Sequence, residues 1–316
     1  MTTAREVRVA GTGLWLSGRE GGEPARPRLP VDVSRLRRMD RFARAGFFAG
    51  SLSLVEAGID PRRPPDPTLG VVFGTAHGCR DSLIDFTLEL GSSESVEQLS
   101  PALFAETVHN TVNGELAIAW GLGGPSETIA SGRTGGADAI LRGAELVRTG
   151  RAAAVVAGGA EGIHPKAVEW WEQERPSGGR GSSSAAPRDA GAALVLADAG
   201  EEAGAGDVLL SSATWFFEPD PSEAARRAAS WIGEGLDRWK RPLLLDATAD
   251  LGGLPSAWEC RSVAAEFGEL YGAAGAVAAV LAVEEIRSGR TGSAVVVSRD
   301  PGGPVTLLAF VTPRTG

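Results

Sequence analysis

The sequence is poor in the residues that most often carry chemistry, because its 316 residues include only 2 Cys and 3 His. Two cysteines cannot form a disulfide framework or a cysteine-rich zinc site. Three histidines leave few general bases and metal ligands that work near neutral pH. We therefore expect no metal centre, no cofactor held by such ligands, and a reducing compartment.

Long apolar runs and an excess of positive charge are also missing. The longest apolar stretches, such as residues 152–160, are far shorter than the ~20 residues that a membrane-spanning helix needs. The N-terminus carries charges where a signal peptide has its apolar region. The net charge is −9, opposite in sign to what a nucleic-acid backbone attracts. We expect a cytoplasmic protein that binds neither membrane nor nucleic acid.

What the sequence does contain is an alternation of apolar strand segments and amphipathic helices. We predict a first helix that Ser34 caps and that ends at Gly58, later helices over 107–121 and 132–150, and strands over 68–76, 127–131, 152–161 and 191–198. This order indicates an α/β protein with a largely parallel sheet. From residue 207 onward the order repeats and ends on two paired strands, which we interpret as a structural duplication.

Several segments in the right order resemble the β-ketoacyl synthases. The first half contributes "RMDRFARAGFFAGSLSLVEAGID", "GVVFGTAHG", "NTVNGELAIAWGLGGPSETIAS" and "TGGADAILRGAELVRTGRAAAVVAGGAEG", and the second half "LYGAAGAVAAVLAVEEIRSG" and "SRDPGGPVTLLAFV". The resemblance covers nearly the whole chain. It implies the α/β thiolase fold, a five-layer αβαβα sandwich of two pseudo-repeated halves, 1–200 and 201–316, that form one compact unit.

The sequence departs from this family where the family does its chemistry. A ketosynthase needs a thiolate at a helix N-terminus and two histidines. Arg133 stands at the position of the nucleophilic Cys, and a guanidinium cannot be acylated. The three histidines, His77, His109 and His164, all lie in the first half. The regions expected to carry the family histidines read "DATADLGG" and "ELYGAAG", so we expect no catalytic residue.

This combination resembles the chain length factors, the Cys-less ketosynthase-like subunits of type II polyketide synthases, and "TGGADAI" fits their pattern. The resemblance implies a subunit without intrinsic catalysis and without a cofactor. It would form a heterodimer with an active ketosynthase and shape a tunnel for an acyl chain carried by an acyl carrier protein. The shortened loops suggest a polyene-forming, highly reducing system.

The resemblance also implies roles for particular residues. The strand before the nucleophile position pairs across the two-fold axis of this family, so we expect Glu127, Thr128, Ile129, Ala130 and Ser131 at the dimer interface. On the helix that lines the acyl tunnel we expect Glu106, Thr107 and Asn110 to share one face. Arg133 either pairs with an Asp or Glu, plugs the former pocket, or meets a carboxylate across the dimer interface.

Two other interpretations stay open. One is an active homodimeric thiolase-fold acyltransferase or hydrolase that uses Cys79, two residues after His77, or His109. The other is a homodimer without enzymatic activity that has a regulatory or scaffolding role. Cys260 is predicted to be a core residue on a helix with Val263 and Phe267.

Overall fold

A computed structural model describes residues 5–17, 27–164, 187–200, 206–235, 242–247 and 259–313. The strands are β1 (Val7–Leu16), β2 (Leu69–Thr75), β3 (Ser126–Ala130), β4 (Ala154–Glu161), β5 (Ala190–Asp198), β6 (Leu209–Phe217), β7 (Leu243–Asp246), β8 (Cys260–Ser262), β9 (Ser293–Arg299) and β10 (Pro304–Val311). The α-helices are α1 (Arg41–Glu56), α2 (Arg80–Ser92), α3 (Pro101–Ala105), α4 (Thr111–Trp120), α5 (Gly135–Arg148), α6 (Pro221–Glu234), α7 (Val263–Phe267) and α8 (Ala274–Arg287).

The strand order shows that the second half repeats the first. The described strands follow each other as β3-β2-β4-β5-β1-β6-β10-β9-β7-β8. β1 and β6 pair only at Arg8 and Leu209, so this junction separates two five-stranded halves. Within each half, starting from the junction, the strands are the first, fifth, fourth, second and third in chain order. The predicted duplication is therefore confirmed at the level of topology.

The prediction of a largely parallel sheet is wrong about the direction of two strands, β5 and β10. β2 pairs in parallel with β3 and β4, and β7 does so with β8 and β9. However, β5 runs antiparallel to both β1 and β4, and β10 runs antiparallel to both β6 and β9. A continuous apolar run indicates a strand buried on both faces, but it does not encode the strand's direction.

The buried side chains form three layers of core, which define a five-layer sandwich. On β4, Val155 and Ala157 face the central core, and Val156 faces the outer core of the first half. On β9, Val296 faces the same central core and Val295 the outer core of the second half. Helices α5 and α8 fill the central layer, α1 and α4 cover the first half, and α6 covers the second. The predicted αβαβα arrangement of the thiolase fold is confirmed.

Two predicted helix boundaries require correction. Ser34 begins only a short 3₁₀ turn, whereas α1 begins at Arg41 and is capped by Asp40, whose carboxylate accepts the Ala43 N–H at 2.7 Å. The helix predicted over 107–121 begins at Thr111, and the part before it is a turn that follows α3. Its predicted end is correct, because Gly121 has a φ of 60°, which L side chains rarely adopt.

The N-terminal ends of the two central helices approach each other closely. A Cβ on Gly136 would lie 2.6 Å from the carbonyl oxygen of Gly272, so only glycine allows this contact. The approach brings the residues just before α5 and α8 to one place at the ends of β2 and β4. No helix among the described residues is long and apolar enough to cross a membrane. The boundary at residue 200 stays a prediction, since residues 201–205 lie outside the described ranges.

Candidate functional site

The sequence places Arg133 in a sharp turn between an edge strand and a buried helix. The 3₁₀ turn Gly132–Thr134 connects β3 to α5, and Gly132 has a φ of 67°. A residue in such a strand–turn–helix connection is presented at the positive end of the helix dipole. This is the geometry in which a nucleophile would be activated, but the residue in it is a cation.

Arg133 makes its contacts with the second half of the chain. Its Nη2 lies 2.8 Å from Oε2 of Glu269, and its backbone N–H donates to Oδ2 of Asp300 at 2.8 Å. Its guanidinium carbon lies 5.7 Å from the centre of the Tyr271 ring. Ser298 Oγ donates to the Arg133 carbonyl at 3.4 Å. Of the three predicted possibilities for Arg133, the structure shows the first, a pair with a carboxylate of the same chain.

Glu269 is the first residue of "ELYGAAG", the segment in which the resemblance leads us to expect a histidine. Its second oxygen accepts the backbone N–H of Tyr271 at 2.9 Å. The exposed fractions of the Arg133 and Glu269 side chains are 21% and 11%. An ion pair thus lies where the resemblance leads us to expect a thiol and an imidazole. The other expected histidine segment, "DATADLGG", lies outside the described residues after Ala247.

Aromatic and acidic side chains fill the space beside this pair. The ring of Tyr271, a residue with a strained φ of 45°, packs edge-on against His77 with centroids 4.5 Å apart. Nδ1 of His77 lies 3.4 Å from Oε2 of Glu161, and the other Glu161 oxygen accepts the Thr75 hydroxyl at 2.9 Å. His77 thus lies between the Tyr271 ring and the Glu161 carboxylate.

The two cysteines do not form a nucleophilic centre with His77. Cys79 pairs instead with His109, with Sγ 3.6 Å from Nδ1. Burial, assisted by the negative charges of Asp40 and Glu106, raises the pKa of the Cys79 thiol to about 11, so the thiol is protonated at neutral pH. Cys260 is exposed at the start of β8, at the sheet edge opposite β3, so its predicted core position on a helix is wrong.

The three predicted tunnel residues lie in and beside a turn and do not share a helix face. Glu106 is buried at the end of α3, Thr107 is half-buried and donates to the Phe104 carbonyl at 2.8 Å, and Asn110 is exposed before α4. The helical spacing used to group them is therefore wrong. Their role in lining a tunnel stays a prediction.

The predicted interface residues form an edge strand and the turn that follows it. β3 lies at one end of the sheet and pairs only with β2 among the described strands. Val71 N–H donates to the Pro125 carbonyl at 2.8 Å, so by alternation residues 127 and 129 also bond to β2. Ser126, Thr128 and Ala130 therefore direct their backbone N–H and C=O groups to the free edge.

Sequence reasoning missed Glu269, Asp300 and Tyr271 as members of the site. The sequence does give an indication for Glu269, because this residue begins the segment where a family histidine is expected. Asp300 belongs to "SRDPGGPV", a segment similar to the family's Gly-rich closing turn. Nothing in the spacing of either residue indicates a contact with Arg133.

A comparison with protein families identifies the class. The family model described as "Beta-ketoacyl synthase, N-terminal domain" matches residues 29–212, more than half of the chain, so the chain belongs to this family. A 3-oxoacyl-[acyl-carrier-protein] synthase 2 of Vibrio harveyi is 35% identical over 129 residues, 40% of this chain and 30% of that protein. The tetracenomycin polyketide synthase ketoacyl synthase alpha subunit of Streptomyces glaucescens is 31% identical over 137 residues, 39% of this chain and 30% of that protein.

The chain therefore matches less than a third of the length of these curated relatives. Solved structures extend the likeness to the whole fold. A structure described as a type II PKS acyl-carrier protein in complex with its ketosynthase bound to the hexaketide has a TM-score of 0.77 at 17% identity, covering 98% of this chain and 100% of that one. The ishigamide ketosynthase/chain length factor has a TM-score of 0.76 at 14% identity, with the same coverage.

We predict that Arg133→Ala lowers the free energy of unfolding by about 2 kcal/mol, because it leaves the largely buried Glu269 carboxylate without its cation. Chemical denaturation measures this change. Arg62→Ala is the matched control, since the Arg62–Asp60 pair is exposed and its loss should have no measurable effect. A double-mutant cycle with Glu269→Gln should show coupling. Equal, small effects of both arginine substitutions would contradict the prediction.

We predict that Glu106→Gln stabilises the protein at alkaline pH and not at acidic pH. Burial, with the nearby charges of Asp40 and Glu115, raises the pKa of Glu106 to about 7, and no described residue donates a hydrogen bond to its Oε2. The folded state therefore binds this proton more tightly than the unfolded state, and stability falls as the pH rises from the ordinary glutamate range through 7.

Melting temperatures at about pH 4 and about pH 8 test this sign. At the higher pH the melting temperature of Glu106→Gln should exceed that of the wild type. At the lower pH the two melting temperatures should be equal. Glu94→Gln, an exposed position on a neighbouring segment, serves as the control. The same gain at both pH values, or none at either, would show that Glu106 is not a destabilising buried charge.

Proposed function

We propose that the chain is a non-catalytic subunit of a β-ketoacyl synthase complex, a chain length factor that pairs with an active ketosynthase. The observation that carries this proposal is the Arg133–Glu269 ion pair at the place of the nucleophile. Acyl transfer of this kind needs a thiolate that attacks a thioester carbonyl. A guanidinium paired with a carboxylate offers neither a nucleophile nor a base.

No described cysteine replaces the missing thiol. Cys79 is fully buried, and burial raises its pKa to about 11. Cys260 lies on β8, at the opposite edge of the sheet from β3. The interpretation as an active acyltransferase or hydrolase through Cys79 or His109 is thus not favoured. The partner supplies the thiol and the histidines.

The free edge of β3 supports the proposed partnership. Ser126, Thr128 and Ala130 offer backbone groups that no described residue pairs with, and antiparallel pairing with a partner strand would satisfy them. Helix α4, which contacts β3, also exposes a large apolar side chain, that of Ile118 (65%). Such groups on one subunit are typical of a protein–protein interface.

Two solved structures of the same fold support a ketosynthase as the occupant of this interface. Two of the similar structures are described as a ketosynthase with its acyl-carrier protein and as a ketosynthase/chain length factor. We propose the same division for this chain: the partner ketosynthase receives acyl groups from an acyl carrier protein, and this chain adds one wall of the acyl tunnel. Glu106, Thr107 and Asn110 are the proposed wall residues, and tunnel depth then limits chain length.

We predict that Thr128→Pro abolishes co-purification with the partner ketosynthase and leaves the isolated fold intact. Proline removes the N–H that points to the free edge, and the ladder to β2 does not use that group. Thr128→Val is the control, because it removes the hydroxyl that accepts from Asn113 at 3.2 Å and keeps the N–H. Retention of the complex by Thr128→Pro would overturn the proposed interface.

We predict that Thr107→Trp shortens the product of the complex, because added side-chain volume at the tunnel wall stops the growing chain earlier. Mass spectrometry of the product of the co-expressed pair measures its length. Thr149→Trp is the matched control, since Thr149 is exposed and its hydroxyl likewise donates to a helix carbonyl, at 2.7 Å. Products of equal length from both variants and the wild type would contradict the tunnel-wall role.

A further inference from the structure

The turn before α5 contains a backbone N–H group aimed at an anion. In the described structure this donor belongs to Arg133, and its acceptor is the carboxylate of Asp300, at 2.8 Å. The group lies at the N-terminal end of a long buried helix, where the dipole favours negative charge. The chain thus provides its own anion at the N-terminal end of this helix.

Asp300 is fixed in place by the turn between β9 and β10. Its other carboxylate oxygen accepts the Gly302 N–H at 2.9 Å, and its backbone carbonyl accepts the Gly303 N–H at 2.9 Å. Its own N–H donates to the Pro304 carbonyl at 2.9 Å. The carboxylate is therefore positioned before any substrate arrives.

The contact between this carboxylate and the turn is also tight. A Cβ on Gly132 would lie 2.3 Å from Oδ2 of Asp300. No room is left between the turn and the carboxylate for a second acceptor. A thioester carbonyl placed here would lose its donor, and the negative charge that develops on its oxygen would meet a full negative charge.

We propose that Asp300 occupies the position that the carbonyl oxygen of an acyl thioester would take at the α5 turn, and that it excludes such substrates independently of Arg133. The proposal rests on the proposed non-catalytic function and adds a second, separate block to it. Restoring a thiol at position 133 then gives only slow acylation. Fast acylation requires removal of the Asp300 carboxylate as well.

The test uses the full chain with Cys260→Ser, so that no exposed native thiol competes. Arg133→Cys is compared with Arg133→Cys/Asp300→Gly, and the probe is the octanoyl thioester of N-acetylcysteamine. In the reaction the introduced sulfur attacks the thioester carbonyl carbon, the carbon–sulfur bond to the cysteamine breaks, and the released thiolate takes up a proton. Intact-protein and peptide mass spectrometry measure the rate and place of acylation.

We expect the double variant to be acylated at position 133 about 10²-fold faster than Arg133→Cys, the size of effect that one oxyanion donor has. Arg133→Cys/Glu269→Gln is the matched control, because it removes the other nearby carboxylate and leaves the N–H occupied. Arg133→Cys/Asp300→Asn, which removes the charge and keeps an acceptor that the turn can hold, should fall between them. Arg133→Cys/Asp300→Asn also replaces Arg133→Cys/Asp300→Gly in the comparison if the glycine variant does not fold.

Equal acylation rates of Arg133→Cys and the Asp300 variants would overturn the proposal, as would an equal gain from Glu269→Gln. Titration of the introduced thiol with a small disulfide reagent confirms that it is accessible in every variant compared. Failure of the proposed function would look different. It would appear as self-acylation of the wild-type chain, or as the absence of a complex with the partner ketosynthase.

Discussion

The close approach of the two central helices is the constraint on which the site depends. Gly136 in α5 and Gly272 just before α8 touch at a distance that no Cβ would allow. This contact brings a turn from the first half and a turn from the second half to one place. Without it, Arg133 and Glu269 could not form their 2.8 Å pair. The site is thus a product of the duplication, with one contribution from each half.

Two converging helix N-termini create a positive potential that anions satisfy. In this chain two carboxylates do so. Asp300 accepts the N–H of Arg133 before α5, and Glu269 accepts the N–H of Tyr271 before α8. The guanidinium of Arg133 pairs with one of these carboxylates. The positive potential that would favour a thiolate and stabilise an oxyanion therefore remains, but carboxylates of the same chain accept its N–H groups.

More of the fold than of the site could be predicted from the sequence. The order of apolar runs and helices identifies both halves, and the end of α4 at Gly121 follows from local turn chemistry. Strand direction did not follow, because β5 and β10 have the same apolar pattern as parallel strands. Arg133 could be singled out from the sequence, because the resemblance implies a nucleophile at its position. Its partner Asp300 could not, since the two residues are 167 positions apart and only the packing of the helices unites them.

The proposed non-catalytic subunit still has a structural reason to keep this site well packed. Asp138 in α5 accepts the Ser131 hydroxyl at 2.5 Å and the Thr134 hydroxyl at 2.8 Å, and it also bonds to the hydroxyl of Thr306 on β10. Ser131 follows directly on β3, the strand with the free edge. Because this one half-buried carboxylate joins the end of that strand, the Arg133 turn and the second half, a disturbance at the turn would displace the edge. The Arg133 site and the proposed interface are therefore one mechanical unit, and the proposed lack of catalysis does not release the turn from the need for a fixed conformation.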